Sequence, residues 1–329
     1  MKACFLERQF LSPALEDIYR ERLGRAGIDV EFHDWTQNAQ VVEGAKEAEA
    51  VFSMAIPMNA ETIAALPKLK FIGRCGIGYD SVDLAAATEK SVVVTNVPDY
   101  CVQEVAAQAL TLLMAAARQL PAFMWRARQG GFGPGRDHPV YRLEGRTLGL
   151  LGYGRTGRAL AKMGLGLDLK VVTYDPFVKD TGNPEVGLVS FEELLRTADF
   201  LSLHMPLNSE TKYILSAPQF KMMKSEAIVI NTSRGGLINT EDLVEALKNK
   251  TIRAAGLDVF EVEPLSPDHE LFSLPNAVLT PHVALYSEEA LRDMHIKLSG
   301  QALDVLEGRR CPNIVNPEVL DKISLKQSA

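Results

Sequence analysis

Short apolar runs, each about the length of a strand, recur along the chain with longer amphipathic stretches between them. Before residue 100 strands are expected at 3–6, 28–32, 50–54, 69–73 and 92–95, and helices at 13–26, 59–66 and 81–90. Ser12 stands as cap of the first helix, with Pro13 at its opening position, where a missing N–H is no loss. Beyond the middle of the chain the runs fall at 148–151, 171–174, 200–203, 227–231, 254–259 and 278–280. Helices are expected at 191–196, with Ser190 and Glu193 as a capping box, at 220–223, and at 240–249 with Thr240 as cap. A last helix covers 287–307, and the final residues read as a loose tail. Strands alternating with helices imply an α/β chain built on parallel sheet.

Two stretches break the alternation. The NVPD segment at 96–99 reads as a crossing between domains, and 100–120 then forms a long helix stopped by Pro121. That helix is apolar nearly all round, including Val105, Leu112 and Leu113, so it is buried, either between domains or against another subunit. The segment 130–146 reads as loop, and His138 within it as a surface residue.

The run at 148–151 leads into Gly152-Tyr153-Gly154-Arg155-Thr156-Gly157, a helix-like segment, and the run at 171–174, which ends on Asp175. Strand, glycine turn, helix, strand and acid follow one another in the order a dinucleotide site requires. Gly152 permits the tight turn, Gly154 lets backbone approach a pyrophosphate, and Gly157 lets the helix pack close on the strand. The helix N-terminus offers unpaired N–H groups and partial positive charge to phosphate. A carboxylate at Asp175 accepts hydrogen bonds from ribose hydroxyls and repels a 2′-phosphate, which favours NAD over NADP. The glycine spacing by itself also occurs as a structural turn; the elements around it favour the nucleotide. A second turn, Gly76-Ile77-Gly78, follows Arg74. Its N–H groups suit a carboxylate, although a plain turn with a solvated arginine is the simpler reading of that segment alone.

Composition narrows the classes. The chain has 329 residues, 47% hydrophobic and 23% charged, which is length enough for two domains. A net charge of −7 implies no general affinity for nucleic acid. Cys4, Cys75, Cys101 and Cys311 are scattered without a CxxC pair, so they read as reduced thiols and not as disulfides or a metal site. The opening MKACFLERQF meets charge too early for a signal peptide, and no apolar segment is long enough to span a bilayer. A cytoplasmic protein without a membrane partner is expected.

Asp175, His204, Thr232 with Arg234, and Asp258 stand at four strand ends, and His282 at a fifth. In an open parallel sheet such ends converge on one crevice. Each has a bland explanation; five of them beside a nucleotide turn read as a site. The segments GYGRTG…YDP, HMPLNSET, NTSRGGLI, AAGLDVFEVEP and TPHVALYSEEA resemble the D-isomer-specific 2-hydroxyacid dehydrogenase family over nearly the whole chain. NVPDYCVQEVA and PHVALYSEEA are most similar to the branch of the C-terminal-binding-protein corepressors and their bacterial relatives.

The resemblance implies two Rossmann/flavodoxin-like parallel-sheet domains separated by a cleft. Residues 1–99 plus 286–329 would form the substrate domain and 100–285 the NAD-binding domain. It implies an NAD-dependent D-2-hydroxyacid dehydrogenase that moves hydride between NADH and a small 2-keto acid, as a homodimer. The alternative is an NAD(H)-sensing, corepressor-like binding protein with the same fold. Arg234 matches the arginine that holds the substrate carboxylate and polarises the 2-keto oxygen. His282 matches the proton donor and acceptor, and Glu263 the acid that bonds it and fixes its tautomer. Asp258 matches the residue on the nicotinamide carboxamide. Cofactor contacts are also implied for Val105, His204, Pro206, Thr211, Thr232, Ser233, Arg234 and His282, with the pyrophosphate at Arg155 and Thr156. The substrate would meet Met54, Arg74, Gly76, Ile77, Gly78 and Leu285. Leu285 stands where the corepressor branch usually carries tryptophan, so that branch's substrate preference does not transfer.

Overall fold

A computed structural model describes residues 1–134 and 139–327 of the chain; His138 lies outside the described residues. The chain forms two compact units, Met1–Cys101 with Ser287–Ala329, and Val102–Tyr286.

The first unit runs β1 (Lys2–Phe5), α1 (Pro13–Gly24), β2 (Asp29–Phe32), α2 (Asn38–Gly44), β3 (Ala50–Ser53), α3 (Ala60–Ala65), β4 (Phe71–Arg74), α4 (Leu84–Glu89) and β5 (Val93–Thr95). The strands pair in parallel in the order β2-β1-β3-β4-β5. This is the flavodoxin-like order, which reverses between β1 and β3. One face packs Leu6, Val51, Ile72 and Val94 with Val41 of α2 and Ile63 of α3. Phe5, Phe52 and Phe71 stack into the other core with Tyr19 of α1. Each such buried side chain contributes about 1.5–3 kcal/mol, and burial on both faces is why these strands read as unbroken apolar runs.

The second unit runs α5 (Val102–Ala117), α6 (Leu120–Arg128), β6 (Thr147–Leu151), α7 (Arg155–Leu165), β7 (Lys170–Tyr174), β8 (Val186–Leu188), α8 (Phe191–Thr197), β9 (Phe200–Leu203), α9 (Ala217–Met222), β10 (Ile228–Asn231), α10 (Thr240–Lys248), β11 (Ala254–Leu257) and β12 (Ala277–Leu279). Its parallel order is β12-β11-β10-β9-β6-β7-β8. That is the doubly wound Rossmann order with one added strand, and it reverses between β6 and β9. The chain then returns to the first unit as α11 (Glu288–Leu306), capped by Ser287, whose Oγ accepts the Ala290 N–H at 3.0 Å.

Several local expectations are corrected. Pro121 opens a helix where it was expected to end one. Gln119 takes φ 55°, which breaks the chain out of α5, and Pro121 sits in the first turn of α6, where it is tolerated. The apolar stripe of α5 is explained by its own sheet: Ala109, Leu112 and Leu113 share a core with Leu148, Leu150, Ile228 and Ile230. Asn239, not Thr240, caps α10, accepting the Asp242 N–H at 3.0 Å. Ser12 makes no side-chain cap bond, and Ser190 makes one half of the expected box, to the Glu193 N–H. The segment that follows α11 is anchored where a loose tail was expected. Asn316 accepts the Val94 N–H at 2.9 Å and donates to Val92 O at 2.9 Å, and Val319 is buried. Among the described residues no helix is long and apolar enough to cross a membrane.

Candidate active site

The glycine turn lies where the strand order of the second unit reverses. Gly152 has φ 102°, and a Cβ there would come 2.8 Å from the His204 carbonyl carbon at the end of β9. A Cβ on Gly157 would overlap Gly152 O, whereas one on Gly154 would meet nothing within 4 Å. The outer glycines are thus required by the protein's own backbone, and the middle one faces open space where a pyrophosphate is expected. The N–H groups of Arg155 and Thr156, in the first turn of α7, donate to nothing among the described residues. Asp175 accepts the Tyr153 N–H at 2.8 Å on one oxygen and the Phe177 N–H at 2.9 Å on the other, leaving lone pairs on both.

The strand ends beside this turn carry unsatisfied polar atoms. Nε2 of His204 bonds Ser202 Oγ at 2.9 Å, and burial pushes the imidazole down to about 4, so it is neutral at pH 7. Its Nδ1 and the Thr232 hydroxyl are buried without a hydrogen-bond partner among the described residues. Each such atom costs about 1–3 kcal/mol unless a ligand satisfies it. An open cradle, free amide donors, a carboxylate at the β7 end and two orphaned polar atoms together fit NAD. Pro206 and Thr211 are joined in the turn after β9, where Thr211 Oγ1 donates to Pro206 O at 2.7 Å. Val105 is half-buried in the first turn of α5.

Polar groups at the end of β10 shape the arginine turn. Asn231 accepts the Ser233 N–H at 3.0 Å and donates to Arg234 O at 2.8 Å. Ser233 Oγ donates to Leu203 O at 2.8 Å, tying the turn to β9. A Cβ on Gly235 would overlap the Phe260 carbonyl carbon, so the arginine turn lies backbone to backbone on the loop that carries Glu263. In that loop one Glu263 oxygen accepts the Phe260 N–H at 2.8 Å, and the other pairs with His282 Nδ1 at 2.6 Å. Burial opposes the charge on Glu263, but the bonds from His282 and Phe260, with the charges of His282 and Arg234, outweigh it and hold the carboxyl below its usual range. An ionised Glu263 accepts from Nδ1–H, which leaves Nε2 as the exchangeable position. The His282 side chain is 43% exposed and open to a substrate.

His282 has φ 56°, an uncommon backbone for a residue with a side chain. Asp258 holds it there. The Asp258 carbonyl accepts the His282 N–H at 2.8 Å. Its carboxylate, fully buried, accepts Thr280 Oγ1 at 2.5 Å and the N–H groups of Val283 and Ala284 at 3.0 and 2.8 Å. Asp258 therefore has a structural task besides the nicotinamide contact expected of it. Leu285, half-buried, follows this turn.

In the first unit the Arg74 guanidinium lies on the turn after β4, 2.9 Å from where a Gly76 Cβ would stand. Asn96 fixes that turn by donating to Ile77 O at 2.6 Å, and the Ile77 and Gly78 N–H groups donate to nothing among the described residues. Met54 belongs to a turn governed by a residue the sequence did not single out. Glu7, buried where the strand order reverses, accepts the N–H groups of Met54, Ala55 and Ile56 at 2.7, 2.6 and 2.6 Å. An acid directly after the first apolar run was the available signal, and it reads as solvated until the distant β3 turn is brought to it.

Residues 110–284 match the NAD-binding domain of the D-isomer specific 2-hydroxyacid dehydrogenases. A glyoxylate reductase of Thermococcus litoralis is 38% identical over 294 residues, covering 85% of this chain and 87% of the relative. A glycerate dehydrogenase of Methylorubrum extorquens is 38% identical over 265 residues, 78% of this chain and 82% of the relative. Among solved structures, the TT0316 protein from Thermus thermophilus superposes with a TM-score of 0.88 at 36% identity, over 96% of this chain and 100% of its own. A doubly wound sheet with a nucleotide cradle at its switch point, polar strand ends beside it and relatives matched along most of their length leave one assignment: the chain belongs to the D-isomer-specific 2-hydroxyacid dehydrogenase family, as an NAD-dependent oxidoreductase acting on 2-hydroxy acids.

Proposed function

We infer that the chain interconverts a short 2-keto acid and its D-2-hydroxy acid through Arg234, Glu263 and His282. The observation that carries this is the 2.6 Å bond between His282 Nδ1 and Glu263, in a loop packed against the arginine turn. Arg234 binds the substrate carboxylate with its planar fork and polarises the 2-keto oxygen. His282 gives that oxygen a proton from Nε2, while Glu263 keeps hold of Nδ1–H and stabilises the charged ring before transfer. In the oxidative direction His282 takes the proton back. Bound NADH supplies the hydride to C2. The glycine turn with Arg155 and Thr156 holds the pyrophosphate and Asp175 the ribose, with Val105, His204, Pro206, Thr211, Thr232, Ser233 and Asp258 as further cofactor contacts. The free N–H groups of Ile77 and Gly78, with Arg74 and Gly76, serve as carboxylate ligands, and Met54 and Leu285 as specificity residues.

The names of the relatives, glyoxylate reductase and glycerate dehydrogenase, favour small substrates such as glyoxylate and the keto acid that corresponds to glycerate. Four buried free thiols suit a reducing cytoplasm. A homodimer through the second unit is supported by α6, which buries none of its residues and leaves Leu120, Met124 and Trp125 exposed, Trp125 to 67%. The test is NADH oxidation with glyoxylate, hydroxypyruvate, pyruvate and branched or aromatic keto acids, by the wild type and by His282→Asn. Turnover of a short keto acid is expected, falling about 10²–10⁴-fold in the variant while NADH binding persists. Background rates with every keto acid, or an unimpaired variant, would refute this reading.

A further inference from the structure

Cys4, Glu31 and His33 form a cluster of three different donor types in the first unit, apart from every residue assigned above. The placement follows from sheet geometry. Cys4 of β1 and Glu31 of β2 are direct partners in the parallel register, and His33 lies two residues beyond Glu31, on the same face by the period of a strand. Since β2 is the edge strand, the carboxylate and imidazole are 35% and 26% exposed, whereas the thiol is 1% exposed. The cluster thus has a buried floor and an open mouth.

The geometry points to a site for one thiophilic divalent cation of the zinc class, held by Cys4 Sγ, Glu31 Oε2 and His33 Nε2. The three donor atoms all lie within 4.8 Å of one another, with Nε2 3.4 Å and Sγ 4.0 Å from Oε2. Tetrahedral bonds of ~2.1 Å to nitrogen and oxygen and ~2.3 Å to sulfur demand donor separations of about 3.4 Å for N and O and about 3.6 Å for S and O. The imidazole and carboxylate already stand at that spacing; the thiol is a few tenths of an ångström too far from Oε2 and within 4.8 Å of Nε2, so a small side-chain adjustment closes the site.

The donors are aimed and lack better partners. His33 Nε2 is buried and makes no hydrogen bond among the described residues. Its ring stacks on Trp35 with centroids 3.9 Å apart and planes 4° apart. Trp35 is itself pinned by α2, where a Cβ on Gly44 would overlap the indole. Lys2 bonds the other oxygen of Glu31 at 2.8 Å, fixing the carboxylate so that Oε2 faces the Cys4 thiol and the His33 ring. One sulfur, one nitrogen and one oxygen select zinc-class ions over magnesium and calcium. Binding forms a metal–sulfur bond and breaks the S–H bond, and the proton leaves to solvent; thiolate and carboxylate then balance the two positive charges. Three protein donors leave a fourth position for water.

The test uses the full chain, stripped with chelator and titrated with Co²⁺. One equivalent is expected to bind with a thiolate-to-cobalt charge-transfer band and tetrahedral visible bands, both abolished by added Zn²⁺. Cys4→Ser should remove the charge-transfer band, and Glu31→Gln, a surface change that keeps Cys4 in its core, should weaken binding by about tenfold or more. Absence of the band in the wild type overturns the site, as does its persistence in Cys4→Ser. If Cys4→Ser fails to fold, wild-type affinity in Glu31→Gln overturns it instead.

Discussion

Replacing Asp258 with asparagine separates the turn-holding role of its carboxylate from the cofactor contact proposed for it. The side chain is fully buried and accepts three hydrogen bonds, from Thr280 Oγ1, Val283 N–H and Ala284 N–H. Asparagine keeps one oxygen, enough for Thr280 and Val283, but turns an NH2 group toward the Ala284 N–H. Two donors then face each other in a buried place, at a cost of about 2–4 kcal/mol. For a unit of this size that lowers the thermal midpoint by about 5–15 °C. The same bonds hold His282 at φ 56°, a backbone that tends to relax once they weaken. A shift of about 1 Å in the imidazole costs about 10²-fold in turnover. The expected pattern is therefore a lower midpoint and a lower kcat, with a smaller change in NADH affinity. Thermal unfolding, NADH titration by fluorescence and steady-state rates on one preparation give all three numbers. Weaker NADH binding alone, with midpoint and kcat unchanged, would refute the turn-holding role and leave Asp258 as a cofactor contact only.

Asp175→Ala removes both the charge proposed to exclude a 2′-phosphate and the acceptor of the Tyr153 N–H. NAD affinity should fall and the NADP-to-NAD ratio of kcat/KM should rise by about tenfold or more; an unchanged ratio removes Asp175 as selector. Glu7→Gln leaves at least one of the Met54, Ala55 and Ile56 N–H groups without its acceptor. We expect KM for the keto acid to rise with kcat nearly constant, and equal effects on both parameters would count against a specificity role. His295 is fully buried, bonded to Tyr19 OH at 2.8 Å, and burial pushes its imidazole down to about 4. Unfolded, the ring titrates near 6.5, so below that pH the unfolded chain binds more protons. Its contribution is complete above pH 6.5 and is lost as pH falls toward 4, up to about 3 kcal/mol. The gap in thermal midpoint between wild type and His295→Gln should narrow between pH 7 and 5; a constant gap contradicts the neutral buried ring.

Where a feature is local, the sequence carries it. The doubly buried strands announce themselves as apolar runs, and the glycine turn with Asp175 specifies the cradle because every part lies within one strand–helix–strand unit. Weakly patterned elements escape. α2 is a short helix defined by the Gln37 and Gln40 capping box, with only Val41 buried, and β8 is a three-residue edge strand with two exposed positions. Breaks are ambiguous as well: proline stops a helix or starts one, and the left-handed Gln119 that decides the matter at Pro121 leaves no compositional trace. What the sequence conceals most fully is polar contact at long range. Glu7 meets residues 47 to 49 positions away, and Asn316 meets Val94 across 222. The Cys4, Glu31 and His33 cluster is hidden for the same reason, since strand register and not spacing brings it together.

The missing side chain of Gly235 bears on how such a site can diversify. Because a methyl group there would collide with the Phe260 carbonyl, the turn bearing Arg234, the proposed carboxylate anchor, and the loop bearing Glu263, the proposed partner of the acid–base histidine, lie in close backbone contact. The turn bearing Met54 is held by a different residue, Glu7. Under the proposed roles, selection, natural or in the laboratory, can redraw substrate preference at Met54 and its neighbours while the charge-handling block is inherited whole. A library that randomised position 235 would return mostly dead clones, whereas one built on the Met54 turn would sample new keto acids with the chemistry intact.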